Sequence, residues 1–286
     1  MKKTTIIIIL LSAFISQNIH CQMKTRLNSN DWMRMRLNGK IFTMKSREYE
    51  VTINKDSTLS LKLNFEPFLN SHYDFIYDKK GFLTNKKAYF ARKDSLVTAE
   101  IWDYIYDKKH RIIIEKKLSS GRVSNENYWY YSYLDKNITL IEQKDKFNPI
   151  IFYKYIQKGL IEELATKQSE TEYKKHSAWF YDNRNRIYKK NEYVGDTIYS
   201  SNEFQYIDRK RNNITIEKYI SKGKTIFFSE NQYDNQNNIV AIYNSNKKLI
   251  QSFDYVYDNK NNWIEKKTFN KNGKLLTITK REIVYY

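Results

Sequence analysis

Residues 253–263 read FDYVYDNKNNW, and this stretch decides the fold. Phe253, Tyr255 and Tyr257 stand at alternate positions, so an extended strand would carry all three side chains on one side. Asp258 then opens a polar turn, and Trp263 begins another β-favouring run. A second polar break at residues 270–274 reverses the chain again. One unit is therefore two strands and two turns.

The same order of residues recurs from residue 73 to the end of the chain. Its spacing suits two strands of ordinary length with their turns, and self-similarity at this period is typical of repeat architectures. The aspartates predicted to open the repeat turns are Asp78, Asp107, Asp182, Asp208, Asp234 and Asp258.

The repeat predicts an all-β fold. We expect an antiparallel meander of repeated β-hairpins that forms a long, twisted and curled sheet, repetitive and solenoid-like. One face would be aromatic and the other rich in lysine, and the sheet must curl over its aromatic face, close, or receive a covering layer. Residues 159–175 could form a short helix, but they lie where the next repeat is due and are predicted to be strand and loop.

The N-terminus has the pattern of a secretory signal. Lys2 and Lys3 precede an apolar run at residues 6–15, which is too short to span a membrane. The predicted organisation is a signal peptide at 1–21, N-terminal strands leading into the repeat sheet at 22–70, and β-hairpin repeats at 71–286.

Cleavage is predicted after Cys21, which would leave a mature chain without cysteine and therefore without disulfides. Retention and lipidation of Cys21 is the competing interpretation, disfavoured because His20 precedes it. The predicted location is exported, in the periplasm, on the outer surface or outside the cell, with no membrane span in the mature chain.

The formal net charge is +18. The lysines are spread through every repeat and form no basic arm, which favours solvated sheet faces over a dedicated polyanion site. No nucleic-acid partner is expected.

Residues 255–263, followed by Asn272-Gly273-Lys274, resemble the YD repeats of RHS-like proteins, of the short exported Bacteroidetes type that lacks the RHS core and toxin domain. The resemblance implies hairpin arrays that act as a shell or binding scaffold, and it supplies no catalytic residue. Four turns lack the glycine of the repeat, and a residue that tolerates positive φ can replace it. The replacing residues are His110, Asn185, Asn237 and Asn261.

No catalytic or cofactor motif is present, and we predict neither an enzyme nor a cofactor. The turn aspartates could suggest calcium, but each stands among Lys, Arg and Asn, which favours turn capping. Glu162 with Glu163, and Glu170 with Glu172, come nearest to carboxylate pairs and are predicted to be surface charge.

Four tryptophans are candidates for stacking on sugar rings, although core packing is the favoured interpretation. They are Trp102, Trp129, Trp179 and Trp263.

The leading functional hypothesis is a non-enzymatic, exported envelope protein that acts as a scaffold or binding surface. Its partner is unknown and could be an envelope protein or a glycan. The alternative is binding of carbohydrate or anionic polymer on the aromatic and basic sheet face. A more remote alternative is an outer-membrane β-barrel, disfavoured because residues 265–267 place charge on both faces of a strand.

Overall fold

The chain folds into strands joined by short turns. The computed structural model describes residues 31, 35–64, 72–92, 95–120, 125–135, 137–145, 150–206 and 214–286. The strands are β1 (Ile41–Ile53), β2 (Leu59–Leu63), β3 (His72–Tyr77), β4 (Leu83–Arg92), β5 (Ser95–Tyr106), β6 (Ile112–Ser119), β7 (Asn125–Tyr133), β8 (Ile138–Asp145), β9 (Ile151–Lys158), β10 (Ile161–Lys167), β11 (Tyr173–Tyr181), β12 (Ile187–Val194), β13 (Thr197–Gln205), β14 (Ile216–Ser221), β15 (Lys224–Tyr233), β16 (Ile239–Tyr243), β17 (Leu249–Tyr257), β18 (Trp263–Asn270) and β19 (Leu275–Tyr285).

From β3 onward each strand pairs antiparallel with the next one along the chain, so the predicted all-β meander is confirmed. The region of the possible helix forms β10 and the start of β11, as predicted. Within the described residues, no helix is long and apolar enough to cross a membrane.

The sheet closes at β1. One edge of β1 pairs with β19 over residues 41–50. Its other edge pairs with β3 through residues 43–46 and with β2 through residues 49–53. Because β2 is a side extension of β1, the closed ring consists of β1 and β3 to β19. The chain is a closed β-barrel of 18 strands.

Closure shows that the predicted open architecture is wrong. A solenoid-like or merely curled sheet would leave two free edges, whereas here the first and last strands are partners. The assignment to the YD repeats of RHS-like proteins is also wrong, because the chain forms a closed barrel and not the repeated hairpin array that the resemblance implied. The scaffold hypothesis was based on the signal and on this repeat assignment, and the closed barrel contradicts it. The closed barrel favours the remote alternative, the outer-membrane β-barrel.

Recurrent β-bulges explain why the sheet closes. The strand register shifts immediately before the tyrosine of most Tyr-Asp pairs, as at Tyr77, Tyr106, Tyr181 and Tyr257. A bulge adds local twist and bends its strand, and bulges are common at barrel rims. Further register shifts near the opposite ends of the strands, as between Thr268 and Phe269, bend the sheet again. Curvature repeated in each hairpin brings the edges together.

The two faces of the barrel wall differ in composition. Tyr255 and its cross-strand partner Lys266 lie on the inner face, here called the lumen face. Asp254 and its partner Lys267 lie on the exterior. Further exterior charges form cross-strand or same-strand ion pairs around the ring, including Lys45–Glu282, Lys116–Glu126, Lys144–Glu142, Lys189–Glu203 and Lys267–Glu265.

One end of the barrel carries the aspartate turns and both ends of the described chain. We call this end the aspartate rim, defined by the turns of Asp78, Asp107, Asp182, Asp234 and Asp258. The amide of Tyr286 donates to the carbonyl of Lys40 at this rim, at 2.8 Å. The start of β1 and the end of β19 therefore meet at the aspartate rim.

Candidate luminal site

The lumen face mixes aromatic, hydroxyl and charged side chains. On β17 and β18, Phe253 faces Thr268 and Tyr255 faces Lys266, and a bulge turns Trp263 inward beside Tyr257. Strand alternation places these residues on one side, so the sequence pattern itself builds a lumen that is both aromatic and polar.

The four candidate tryptophans all lie on this face, but they form no single row. Trp102 and Trp179 are buried, and Trp129 and Trp263 are half-buried. The structure brings together only Trp102 and Trp129, whose rings stack with centroids 5.9 Å apart. Trp179 packs with Tyr155 on another part of the wall. A role for these residues in ligand stacking stays a prediction.

Neighbouring cations cover three of these rings. Lys117 lies 4.7 Å from the centroid of Trp102, and Lys190 lies 5.7 Å from that of Trp179. Arg281 lies closer, with its guanidinium carbon 3.3 Å from the centroid of Trp263. Such cation–π contacts occupy ring faces that a sugar would need.

The turn aspartates act on the backbone. The Asp182 carboxylate accepts hydrogen bonds from the amides of Arg184 and Arg186, both at 2.9 Å, and from Nε of Arg186 at 2.8 Å. Asp78, Asp107 and Asp258 accept from the amides two and four residues later, and Asp234 accepts from that of Asn238. Asp208 lies outside the described residues. In the described part of the chain, no group of three acidic, His or Cys residues could hold a metal ion.

The tyrosines that end the strands connect adjacent hairpins, which the sequence analysis did not foresee. The Tyr257 hydroxyl donates to the Asp234 carboxylate in the preceding turn. Tyr285 makes the same contact with Asp258. The hydroxyl of Tyr106 donates to the carbonyl of Leu83, at 2.8 Å. The recurring Tyr-Asp pair thus joins neighbouring turns along the rim.

The prediction that Glu162 and Glu163 are both surface charges is wrong for Glu162. Glu162 is buried on the lumen face, where the Tyr181 hydroxyl donates to it at 2.5 Å. Glu163 lies on the exterior with Lys158 and Lys175. Successive residues of a strand face opposite sides, so these carboxylates cannot act together on one substrate.

The chain before β1 crosses part of the aspartate rim. Asp31 accepts a hydrogen bond from the amide of Leu83, at 2.7 Å, and Arg36 donates to the carbonyl of Asn237. The amide of Asn38 donates to the side-chain oxygen of Asn262, at 2.7 Å. These contacts link turns on both sides of the β1 seam. The sequence analysis assigned this region to strands.

Two luminal cations stand out by their surroundings. The side chains of Lys266 and Arg281 make no hydrogen bond or ion pair with the described residues, and Nε of Arg281 is a buried donor without a partner. The side chains of Lys266 and Arg281 are half-buried on the lumen face, and the charge of the Glu48 carboxylate acts on Lys266.

Comparison with known proteins gave a distant structural likeness. The crystal structure of a porin-like protein from Bacteroides uniformis matches with a TM-score of 0.41 and 10% sequence identity, over 86% of this chain and 99% of that one. No family model matches the chain, and no curated protein matches it. The barrel assignment rests on the strand pairings themselves.

Proposed function

We propose that this chain is a β-barrel of the cell envelope whose lumen admits small polar solutes. The observation that carries the proposal is the closure of 18 strands around a face that bears both aromatic and charged groups. Barrels of 16 to 18 strands leave room for an aqueous channel, and a polar interior suits such a channel. The signal-like N-terminus and the barrel fold are compatible with an exported protein.

We propose no catalytic role. The nearest pair of carboxylates, Glu162 and Glu163, is divided between the two faces of the wall. The luminal Glu115 accepts from the hydroxyl of Tyr131, at 3.0 Å, as Glu162 does from Tyr181. Both contacts are compatible with a structural role in the wall.

The exterior sets a condition on how this barrel meets lipid. A barrel that crosses a bilayer presents an outward apolar band about 25 Å tall. Here Asp103 faces Lys116 across the exterior at mid-strand, between the apolar pairs Ile101–Leu118 and Ile105–Ile114. An outward Lys or Arg at the bilayer midplane costs about 2–4 kcal/mol. The proposal therefore rests on the lumen and not on the outer surface.

Cysteine accessibility tests whether the lumen is open to small solutes. Gln143 lies on the lumen face of β8, where it pairs with Trp129, and the adjacent Lys144 is an exposed exterior residue. In a full-length background with Cys21→Ser, we expect a small charged methanethiosulfonate to modify both Gln143→Cys and Lys144→Cys. A maleimide carrying a long poly(ethylene glycol) chain should modify only Lys144→Cys, the matched control.

A Gln143→Cys thiol that resists the small reagent would mean a packed interior and would overturn the proposal. If the bulky reagent modified both thiols equally, position 143 would not be enclosed by the barrel, and the proposal would also be overturned. Planar-bilayer recording of the same protein separates two forms of the function. Conductance steps would mean that solutes pass through the barrel across the lipid bilayer. Labelling of Gln143→Cys without conductance steps would mean that the lumen is a chamber that solutes enter but do not cross.

A further inference from the structure

We propose that Lys266 and Arg281 form a binding site for a small oxyanion, a carboxylate or phosphate group, on the lumen wall. The inference rests on the proposed function, because the anion must reach the lumen. It names the chemistry of the solute that the barrel would take.

The strand register places the two cations close together on the same face. Lys266 pairs with Thr279 across β18 and β19, and Arg281 follows two residues later on β19. On its other side Arg281 pairs with Ser46 of β1. Two positive charges thus face the lumen beside the hydroxyl group of Ser46, which can donate a hydrogen bond to an anion.

Two other luminal lysines have acidic partners, whereas a third, Lys86, lies over Trp102 without an ion pair to a described residue. Lys117 forms an ion pair with Glu100, and Lys190 forms one with Glu192, both at 2.6 Å. Lys266 and Arg281 have no such partner within the described residues. They therefore differ from the cations that only cover a tryptophan and balance a local carboxylate.

The nearest acidic group is committed elsewhere. Glu48 accepts hydrogen bonds from the side-chain amide of Asn64 and from the hydroxyl of Thr279, the latter at 3.4 Å. It moderates the charge around Lys266 without forming an ion pair with it. One carboxylate beside two cations leaves a local excess of positive charge.

The arrangement is costly without an anion and well shaped for one. The Nε of Arg281 is a buried donor without an acceptor, and such a group costs free energy until a ligand supplies one. The contact with the Trp263 ring, 3.3 Å from the guanidinium carbon to the ring centroid, holds the guanidinium against the wall. A planar guanidinium presents paired donors that match the two oxygens of a carboxylate or phosphate.

Thermal unfolding with added anions tests the site in the full-length protein. We expect the melting temperature to rise with inorganic phosphate or with acetate at constant ionic strength, since a ligand that binds the folded state stabilises it. A response to phosphate alone, or to acetate alone, would identify which oxyanion the site takes. Chloride at the same ionic strength provides the reference.

Two luminal variants and one matched control connect the effect to the site. Lys266→Gln should weaken anion binding by about tenfold or more, and it should melt higher than the wild type without anion, because it removes an uncompensated charge. Arg281→Gln should also lose the anion response. Lys267→Gln changes the neighbouring exterior lysine and should respond as the wild type does.

Lys266→Gln and Arg281→Gln proteins that respond to phosphate and acetate as the wild type does would overturn the site, as would a wild type that responds to neither. The labelling of Gln143→Cys keeps this failure distinct from failure of the proposed function. Luminal labelling without an anion response would reject the site and keep the open lumen, whereas absence of labelling would reject both.

Discussion

At the scale of single residues, each repeat turn depends on one position with a left-handed backbone. The four residues that replace the repeat glycine all have positive φ, between 59° and 67°. Gly81, which keeps the glycine, has φ 88°. The prediction that these positions need a left-handed backbone is confirmed, because the sequence of a short turn largely determines its geometry.

The turn carboxylates should make stability depend on acid. Burial raises the pKa of Asp182, but its hydrogen bonds and ion pair with Arg186 outweigh burial, so the pKa lies below its ordinary value. The stabilising contribution is therefore complete above the unfolded pKa of about 3.9 and is lost as the pH falls through the folded pKa. We expect Asp182→Asn to be less stable than the wild type near neutral pH and the difference to shrink in acid.

Urea unfolding of both proteins across this pH range provides the measurement. A stability difference that stays constant from neutral pH into acid would contradict the assigned role of the carboxylate.

At the scale of strands and hairpins, the sequence was informative about period and alternation but not about closure. The alternating aromatics of β17 identified the strand and its face correctly. The bulge between Val256 and Tyr257 left no recognisable sign in the pattern, although such bulges help decide whether the sheet stays open or closes. Closure also depends on pairing between residues more than 200 positions apart, which local pattern cannot reveal.

The candidate anion site at Lys266 and Arg281 could not be predicted from the sequence for a related reason. Lys266 stands between Glu265 and Lys267 in sequence and looks like part of a solvated charge run. Its orientation toward Thr279 follows from cross-strand register, and its lack of a carboxylate partner follows from neighbours on other strands. Neither property is local.

The tyrosine links between hairpins should contribute to stability. The Tyr257 hydroxyl donates to Asp234 and accepts from Asn238, at 2.8 Å. Tyr257→Phe removes both contacts and should lower the free energy of unfolding by about 1–3 kcal/mol, because a charged acceptor loses its partner. Tyr243→Phe is the matched control, since among the described residues its hydroxyl donates only to the exposed Gln232, at 3.3 Å.

Chemical denaturation of the two variants tests this contribution. Equal losses in Tyr257→Phe and Tyr243→Phe would show that the rim contact adds nothing.

At the scale of the whole molecule, ring closure is the property on which the function depends. Lys45 of β1 and Glu282 of β19 are directly opposite on the exterior, with Nζ and Oε2 3.9 Å apart. Opposite residues of antiparallel strands approach closely enough for a disulfide. With Cys21→Ser, the pair Lys45→Cys and Glu282→Cys should oxidise to a disulfide that joins the two ends of the described chain.

Electrophoresis without reductant measures this disulfide, because so large a covalent loop changes mobility. Lys45→Cys with Lys267→Cys is the control, since β19 separates their strands. A disulfide in the control pair but not in the Lys45 and Glu282 pair would contradict the ring.

The pairing of β1 with β19 also has a consequence for how the molecule is made. The partners of Ile41 and Met44 are Tyr285 and Ile283, which are synthesised more than 200 residues later. Such high contact order slows folding, since distant segments must meet before their contacts stabilise them. Until β19 docks, β1 and β18 expose unpaired edges that invite aggregation. Chaperone dependence during biogenesis should therefore centre on this final docking step.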